Sequence, residues 1–153
     1  RSFSKSIGFT GLRLGYFVYP KNLKAQDAFS LSNCTDLICS KTNGVSYLIQ
    51  EAAIAALSDE AMKESKALTE GYMSMTQKLK DHLLSQGEIV VGGNHAPYLF
   101  WKVEGNSKDK FLHLLETKLL VTVPGVGFGM DGYLRLSGFI NEEILARAIK
   151  ALT

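Results

Sequence analysis

Apolar residues recur with helical spacing through much of the chain. Val45, Leu48, Ile49, Ala52, Ala53, Ala56 and Leu57 fall at i, i+3, i+4, i+7, i+8, i+11 and i+12, the stripe of an amphipathic helix. Asn43 stands at its start as a candidate N-cap. Ser58, followed by Asp59 and Glu60, predicts the cap and acidic first turn of another helix. Its stripe runs through Ala61, Ser65, Leu68, Tyr72, Met75, Leu79 and His82 to Leu84, and Gly87 ends it. Such a helix of about 26 residues is roughly 39 Å long, which is long for a compact domain. Leu14–Tyr19 is a short apolar run closed by Pro20 and predicts a buried strand. A mixed segment follows, predicted helical from about Leu23 to Asn33.

Beyond Gly87 strands and helices alternate. Glu88–Val91 and Tyr98–Val103 predict strands around the turn Gly92–Pro97. Ser107 is expected to cap a helix carrying Phe111, Leu112, Leu114 and Leu115. Leu119–Val123 and Tyr133–Gly138 predict two more strands. Asn141-Glu142-Glu143 caps a last helix with Ile144, Leu145, Ala148, Ile149 and Leu152 inward. The fold class is α/β, and these later elements make a small sandwich of one sheet covered on one face by helices.

Composition narrows the function classes. The 153 residues are 46% hydrophobic and 21% charged, which describes an ordinary globular protein able to bury a core. Net charge is +2 with the 17 basic residues scattered, so neither nucleic acid nor a membrane surface is favoured as a partner. No secretory signal and no bilayer-length apolar run is present. Cys34 and Cys39 form neither a CxxC pair nor a disulfide framework, which fits a reducing cytoplasm. No His, Cys, Asp and Glu cluster has metal spacing. His82 and His113 lie on helical stripes as packing or surface groups, and His95 in its turn is assigned no chemistry.

Candidate chemistry gathers at the start of the chain. Ser2-Phe3-Ser4-Lys5-Ser6-Ile7-Gly8-Phe9-Thr10-Gly11-Leu12-Arg13-Leu14-Gly15 sets a lysine among hydroxyls, then glycines, then an arginine. Positive φ at Gly8 and Gly11 lets the chain fold back, bringing Arg13 near Ser2, Ser4 and Lys5. Hydroxyl donors and a guanidinium fork suit a phosphate. An amine beside that phosphate suggests a phosphate-bearing carbonyl cofactor held covalently, which points to pyridoxal phosphate. A nucleotide P-loop is excluded, because the lysine precedes the glycines. Gly8-Phe-Thr-Gly11 has the spacing of a KH-domain clamp, but its middle pair is uncharged and a strand pattern follows. Gly125-Val-Gly127-Phe-Gly129 runs toward a strand instead of opening a helix, and so is a close-packing loop near a ligand and no dinucleotide fingerprint. Arg135 lies mid-strand, where an unpaired buried charge is costly. It pairs with a carboxylate of its own chain, such as Asp131, or clamps a substrate carboxylate.

Ser2-Phe-Ser-Lys5-x-x-Gly8-Phe-Thr-Gly11-x-Arg13-Leu-Gly15 resembles the cofactor-lysine motif of the fold-type I (class I/II) aminotransferases. With Gly92-Gly93-x-x-Ala-Pro97-Tyr98 and Pro124-Gly-x-Gly-Phe-Gly129, the wording is most similar to the diaminopimelate-forming branch of that family. The resemblance covers nearly the whole chain. It implies the C-terminal part of a pyridoxal-phosphate-dependent transferase fold. Residues 1–60 would be the end of the large cofactor domain, and residues 61–153 the interdomain helix and small α/β domain. Lys5 would carry the cofactor and act as base and acid, kept neutral by burial and by the Arg13 charge. Ser2, Ser4 and Arg13 would hold the phosphate, and Asn43 would reach substrate or cofactor unless it only caps its helix. The family's Arg-Leu-Ser strand makes Arg135 the carboxylate clamp.

The substrates so implied are an amino acid and a keto acid, with glutamate the donor and tetrahydrodipicolinate the acceptor, in a cytoplasmic homodimer. Two other readings stay open. One is another class I/II aminotransferase acting on aspartate, alanine or an aromatic amino acid, and the other is a non-catalytic folded or assembly domain. Because the motif stands at Arg1 with nothing upstream, the resemblance also implies a missing N-terminal portion and an inactive isolated chain.

Overall fold

The computed structural model describes residues 2–20, 23 and 31–152. The chain divides into two compact units, Arg1–Ala67 and Leu68–Thr153.

In the first unit a short helix α1 (Phe3–Ser6) is followed by α2 (Leu31–Thr42) and α3 (Tyr47–Ala56). Most of the helix expected over Leu23–Asn33 lies outside the described residues, and its last three positions open α2. Leu14–Tyr19 is not a strand. Its one ladder contact is an isolated antiparallel bridge between Ser2 and Gly15. A strand buried on both faces needs neighbours on both edges. Among the described residues none is present, and Phe17 and Val18 stay 68% and 87% exposed. Asn43 does not cap α3. It follows the last residue of α2 in the left-handed region, φ 54°, a helix-terminating conformation that asparagine tolerates better than most residues. Ser46 is the residue that precedes α3, and its carbonyl accepts from the Ile49 and Gln50 N–H groups at 3.1 Å each.

The long helix α4 (Asp59–Ser85) begins as expected, with the Ser58 hydroxyl accepting from the Ala61 N–H at 3.3 Å. The division between the units falls within it. In the second unit come β1 (Val90–Gly92), β2 (Tyr98–Lys102), α5 (Ser107–Lys118), β3 (Val123–Pro124), β4 (Tyr133–Ser137) and α6 (Glu142–Leu152). A 3-10 turn at Gly125–Phe128 lies between β3 and β4. The four strands form one antiparallel sheet in the order β1-β2-β4-β3. The pairing sets Leu99 opposite Leu136, Phe100 opposite Arg135 and Trp101 opposite Leu134.

This register sorts the side chains by face, because successive residues of a strand point to opposite sides. Leu99, Trp101, Leu134 and Leu136 are buried in one cluster with Leu79 and Leu83 of α4, Leu114 of α5 and Leu145 of α6. Leu99 and Leu134 have no exposed surface, and burying each such side chain contributes about 1.5–3 kcal/mol. Tyr98, Phe100, Tyr133 and Arg135 take the alternate positions and are half-buried. The sheet therefore has one helix-covered face, as the sequence pattern requires. Gly138, just past β4, lets the sheet approach α4 closely. A Cβ there would sit 3.0 Å from the Tyr72 carbonyl and collide with the Thr76 side chain.

Two sequence expectations need correction here. Ser107 is not the cap of α5. Asn106 is, its Oδ1 accepting from the Lys108 and Asp109 N–H groups at 2.9 and 3.0 Å. Leu119–Val123 is not a five-residue strand. Leu119 closes α5 in the left-handed region, and strand pairing is confined to Val123 and Pro124.

Candidate active site

The opening residues form a closed loop. Ser2 pairs with Gly15, and the Phe3 N–H donates to the Leu14 carbonyl at 3.1 Å. Phe3 anchors the loop from inside. It is buried, with the rings of Phe9 and Tyr16 each 6.1 Å away. The Phe3 carbonyl accepts from both Ile7 and Phe9 N–H groups. Ser2 caps α1, its hydroxyl accepting from the Ser4 N–H at 3.2 Å. The Thr10 hydroxyl donates to the Ser4 carbonyl at 2.9 Å, and the Ser65 hydroxyl of α4 donates to the Ser6 carbonyl.

The fold-back is made differently from the sequence expectation. Gly8 has φ 77°, but Gly11 is not in the left-handed region. The second such residue is Arg13 itself, φ 55°. Arg13 Nη1 donates to the Thr10 carbonyl at 2.8 Å, which ties the arginine to the loop it closes. Lys5, in the last turn of α1, is exposed, as is Arg13. The burial expected to keep Lys5 neutral is therefore not supplied by the described residues.

Residues 2–15 contain two cations and four hydroxyl side chains and no Asp or Glu. A loop so rich in donors and free of carboxylates suits an anionic phosphate, and its lysine suits a carbonyl group. The residues present thus fit pyridoxal phosphate. Asn43 stands apart at the end of α2, exposed, and among the described residues no hydrogen bond joins it to this loop.

Arg135 belongs to the second unit. Its Cζ lies 4.9 Å from the Tyr98 ring centroid and 4.7 Å from that of Phe128. The Phe128 ring meets Phe100 edge-on at 5.7 Å, and Tyr98 meets Phe139 at 5.6 Å. Among the described residues Arg135 Nε is buried without a hydrogen-bond partner. Such a group costs about 1–3 kcal/mol, so the fold tolerates this arginine at some expense. Asp131 is not its partner. The Asp131 Oδ1 accepts from the Ser107 hydroxyl at 2.6 Å, the Ser107 N–H at 2.9 Å and the Gly132 N–H at 2.9 Å. These bonds, the Ser107 hydroxyl foremost, hold its carboxyl below the usual carboxylate range.

The structure thus brings Ser2, Ser4, Lys5 and Arg13 onto one loop, while Asn43 and Arg135 lie on separate elements. Sequence reading missed Tyr98 and Phe128 as neighbours of Arg135. The signal for Tyr98 was its position at the start of the strand that follows the Gly92–Pro97 turn, but only pairing to β4 reveals its face. Phe128 was visible only as part of a glycine-rich run. Among the described residues no cluster of His, Cys, Asp and Glu could hold a metal, and no helix is long and apolar enough to cross a membrane.

A lysine on a phosphate-compatible loop and an arginine held between two aromatic rings, with no carboxylate partner among the described residues, are the features that known proteins share or lack. It belongs to the family described as aminotransferase class I and II, which matches residues 1–152. Among curated relatives, the LL-diaminopimelate aminotransferase of Prochlorococcus marinus subsp. pastoris is 44% identical over 99% of this chain and 40% of its own length. The solved L,L-diaminopimelate aminotransferase from Chlamydomonas reinhardtii superposes with a TM-score of 0.88 at 34% identity, over 95% of this chain and 37% of that one. An aspartate aminotransferase from Thermotoga maritima gives a TM-score of 0.82 at 28% identity, over 99% of this chain and 37% of that one. The chain spans about 40% of the length of the curated relatives it matches.

Proposed function

We propose that this chain supplies the cofactor lysine and the carboxylate-binding arginine of a pyridoxal-phosphate-dependent aminotransferase that forms LL-diaminopimelate. The substrates are glutamate and tetrahydrodipicolinate, and the products are LL-diaminopimelate and 2-oxoglutarate. The carrying observation is the closed, carboxylate-free loop from Ser2 to Gly15 that presents Lys5 and Arg13. Residues 1–60 are assigned to the end of the large cofactor domain and residues 61–153 to the interdomain helix and small domain. The assembly is assigned as a cytoplasmic homodimer.

In this reading Ser2, Ser4 and Arg13 bind the phosphate through hydroxyl and guanidinium donors. When bound, pyridoxal phosphate supplies the electron sink for the electron pair left on the substrate α-carbon. The Lys5 amine would act as the base that takes the proton from that α-carbon and, in the opposite half-reaction, as the acid that protonates the α-carbon of the incoming keto acid. Arg135 holds the α-carboxylate, fixing which bond at the α-carbon faces the base. Asn43 contacts substrate or cofactor through its exposed side chain.

Treating the whole protein with pyridoxal phosphate and borohydride, then mapping peptides by mass, tests the assignment. The cofactor should be fixed on Lys5, and Lys5→Ala should abolish transamination with the fold retained. Label on Lys21 or Lys41, or no label, would overturn it. The likeness to an aspartate aminotransferase supports a second substrate reading. Turnover with LL-diaminopimelate and 2-oxoglutarate well above that with aspartate decides for the first.

A further inference from the structure

The Arg135 guanidinium is planar, and its two faces are apolar while its edge carries the donors. Cations are attracted to aromatic faces when they lie within about 6 Å of the ring centre. Arg135 meets that condition twice, at 4.9 Å from Tyr98 and 4.7 Å from Phe128. The two rings come from different parts of the second unit. Tyr98 opens β2 and packs on Phe139, which in turn packs on Tyr72 of α4 at 4.8 Å. That ring is held by the sheet and the helix. Phe128 instead ends the 3-10 turn, with Gly127 before it and Gly129, φ 73°, after it. Phe128 is 47% exposed, and Phe100 buttresses it edge-on. No carboxylate among the described residues pairs with Arg135, so what fixes the plane of its fork is aromatic.

We propose that Phe128 is a positioning residue for carboxylate recognition, an exposed aromatic jaw that holds the Arg135 fork in plane against the ring of Tyr98. This rests on the assignment of Arg135 as the clamp for the carboxylate of an amino or keto acid. The fork's donors form two parallel bonds to a carboxylate only when their plane is set. An unrestrained arginine must lose side-chain freedom on binding, and prior ordering removes part of that cost. The benefit falls on carboxylate binding and not on the proton transfer, so Phe128 should act on KM more than on kcat.

Three substitutions separate this from a packing role. Phe128→Leu keeps an apolar side chain but removes the π face, Phe128→Tyr keeps the face, and Arg135→Gln removes the cation. Succinate, a dicarboxylate that cannot transaminate, is titrated into each form of the whole protein by calorimetry, with thermal unfolding recorded alongside. Phe128→Leu is expected to weaken succinate binding roughly three- to tenfold, on the scale of a cation–π contact. Phe128→Tyr should match the parent, Arg135→Gln should lose most of the affinity, and Tm should hold for both Phe128 variants. KM for amino and keto acid should rise by a similar factor in Phe128→Leu with kcat nearly constant. Equal succinate affinity for Phe128→Leu and the parent would overturn the proposal, as would affinity that survives Arg135→Gln. Normal succinate behaviour without any transamination would instead sink the assigned reaction and leave the aromatic jaw standing.

Discussion

Asp131 spends its carboxylate on the chain that precedes it. One oxygen takes both the hydroxyl and the N–H of Ser107, the first residue of α5, and the Gly132 N–H as well. Its pKa is lowered mainly by the Ser107 hydroxyl, then by the two backbone donors. A depressed folded-state value means that the stabilisation is complete above the ordinary aspartate range and is lost as pH falls through the lower folded value. The parent should therefore melt above Asp131→Asn at neutral pH, with the two curves converging in acid; a gap independent of pH would refute the role. The same bonds explain what the sequence left open at Arg135. Two residues four apart and opposite in charge invite pairing, but the Ser107 hydroxyl and the backbone N–H groups of Ser107 and Gly132 already engage the Asp131 carboxylate. Lys5 and Arg13 stood out as candidates because residue type and order suggest their chemistry. The exposure of Lys5 was not, since burial depends on what lies across from it and not on its neighbours in sequence.

Helices with their own punctuation were read almost to the residue. Ser58 and Asn141 bond to the N–H groups three positions on, and acidic residues fill the first turns of α4 and α6. Strands fared worse, because a strand exists only where a partner pairs with it. Leu14–Tyr19 carries strand-like residues without a pairing strand among the described residues, and in Leu119–Val123 only Val123 pairs, with Leu119 closing α5 and residues 120–122 in irregular chain. Leu119 was unreadable as a helix terminus because glycine or asparagine is the usual residue there. Its φ of 54° carries the left-handed penalty of about 1–2 kcal/mol for a residue with a Cβ. The side chain is 82% exposed, so little packing would be lost with it. Leu119→Gly should raise stability by about 0.5–1 kcal/mol, once the added freedom of glycine in the unfolded chain is deducted. A lower urea midpoint for the variant would show that the leucine does more than close the helix.

At the scale of the molecule the two units differ in how much they bury. The clustered core runs from Leu79 to Leu145 and lies wholly in the second unit. Among its described residues the first unit buries Phe3, Ala53 and Ala56, while Phe17, Val18, Tyr47, Leu48 and Ile54 stay exposed. Expressed separately, residues 68–153 should fold with a cooperative melt and dispersed amide resonances, and residues 1–67 should show neither. A cooperative transition in the shorter piece would mean that its few buried side chains suffice. The sequence showed where apolar stripes lie but not how much of each is covered, since coverage is a property of whatever packs against them. The pleat of β4 has one more consequence, for how the protein can change over generations. Leu134 and Leu136 fasten Arg135 to its side of the sheet as two rivets fix the hole between them. Conservative exchange at either leucine leaves that address intact, whereas inserting or deleting one codon inside the strand, between Leu134 and Arg135, would turn the guanidinium toward the oil or force a bulge. Descent can rewrite the letters of this strand far more freely than it can change their number.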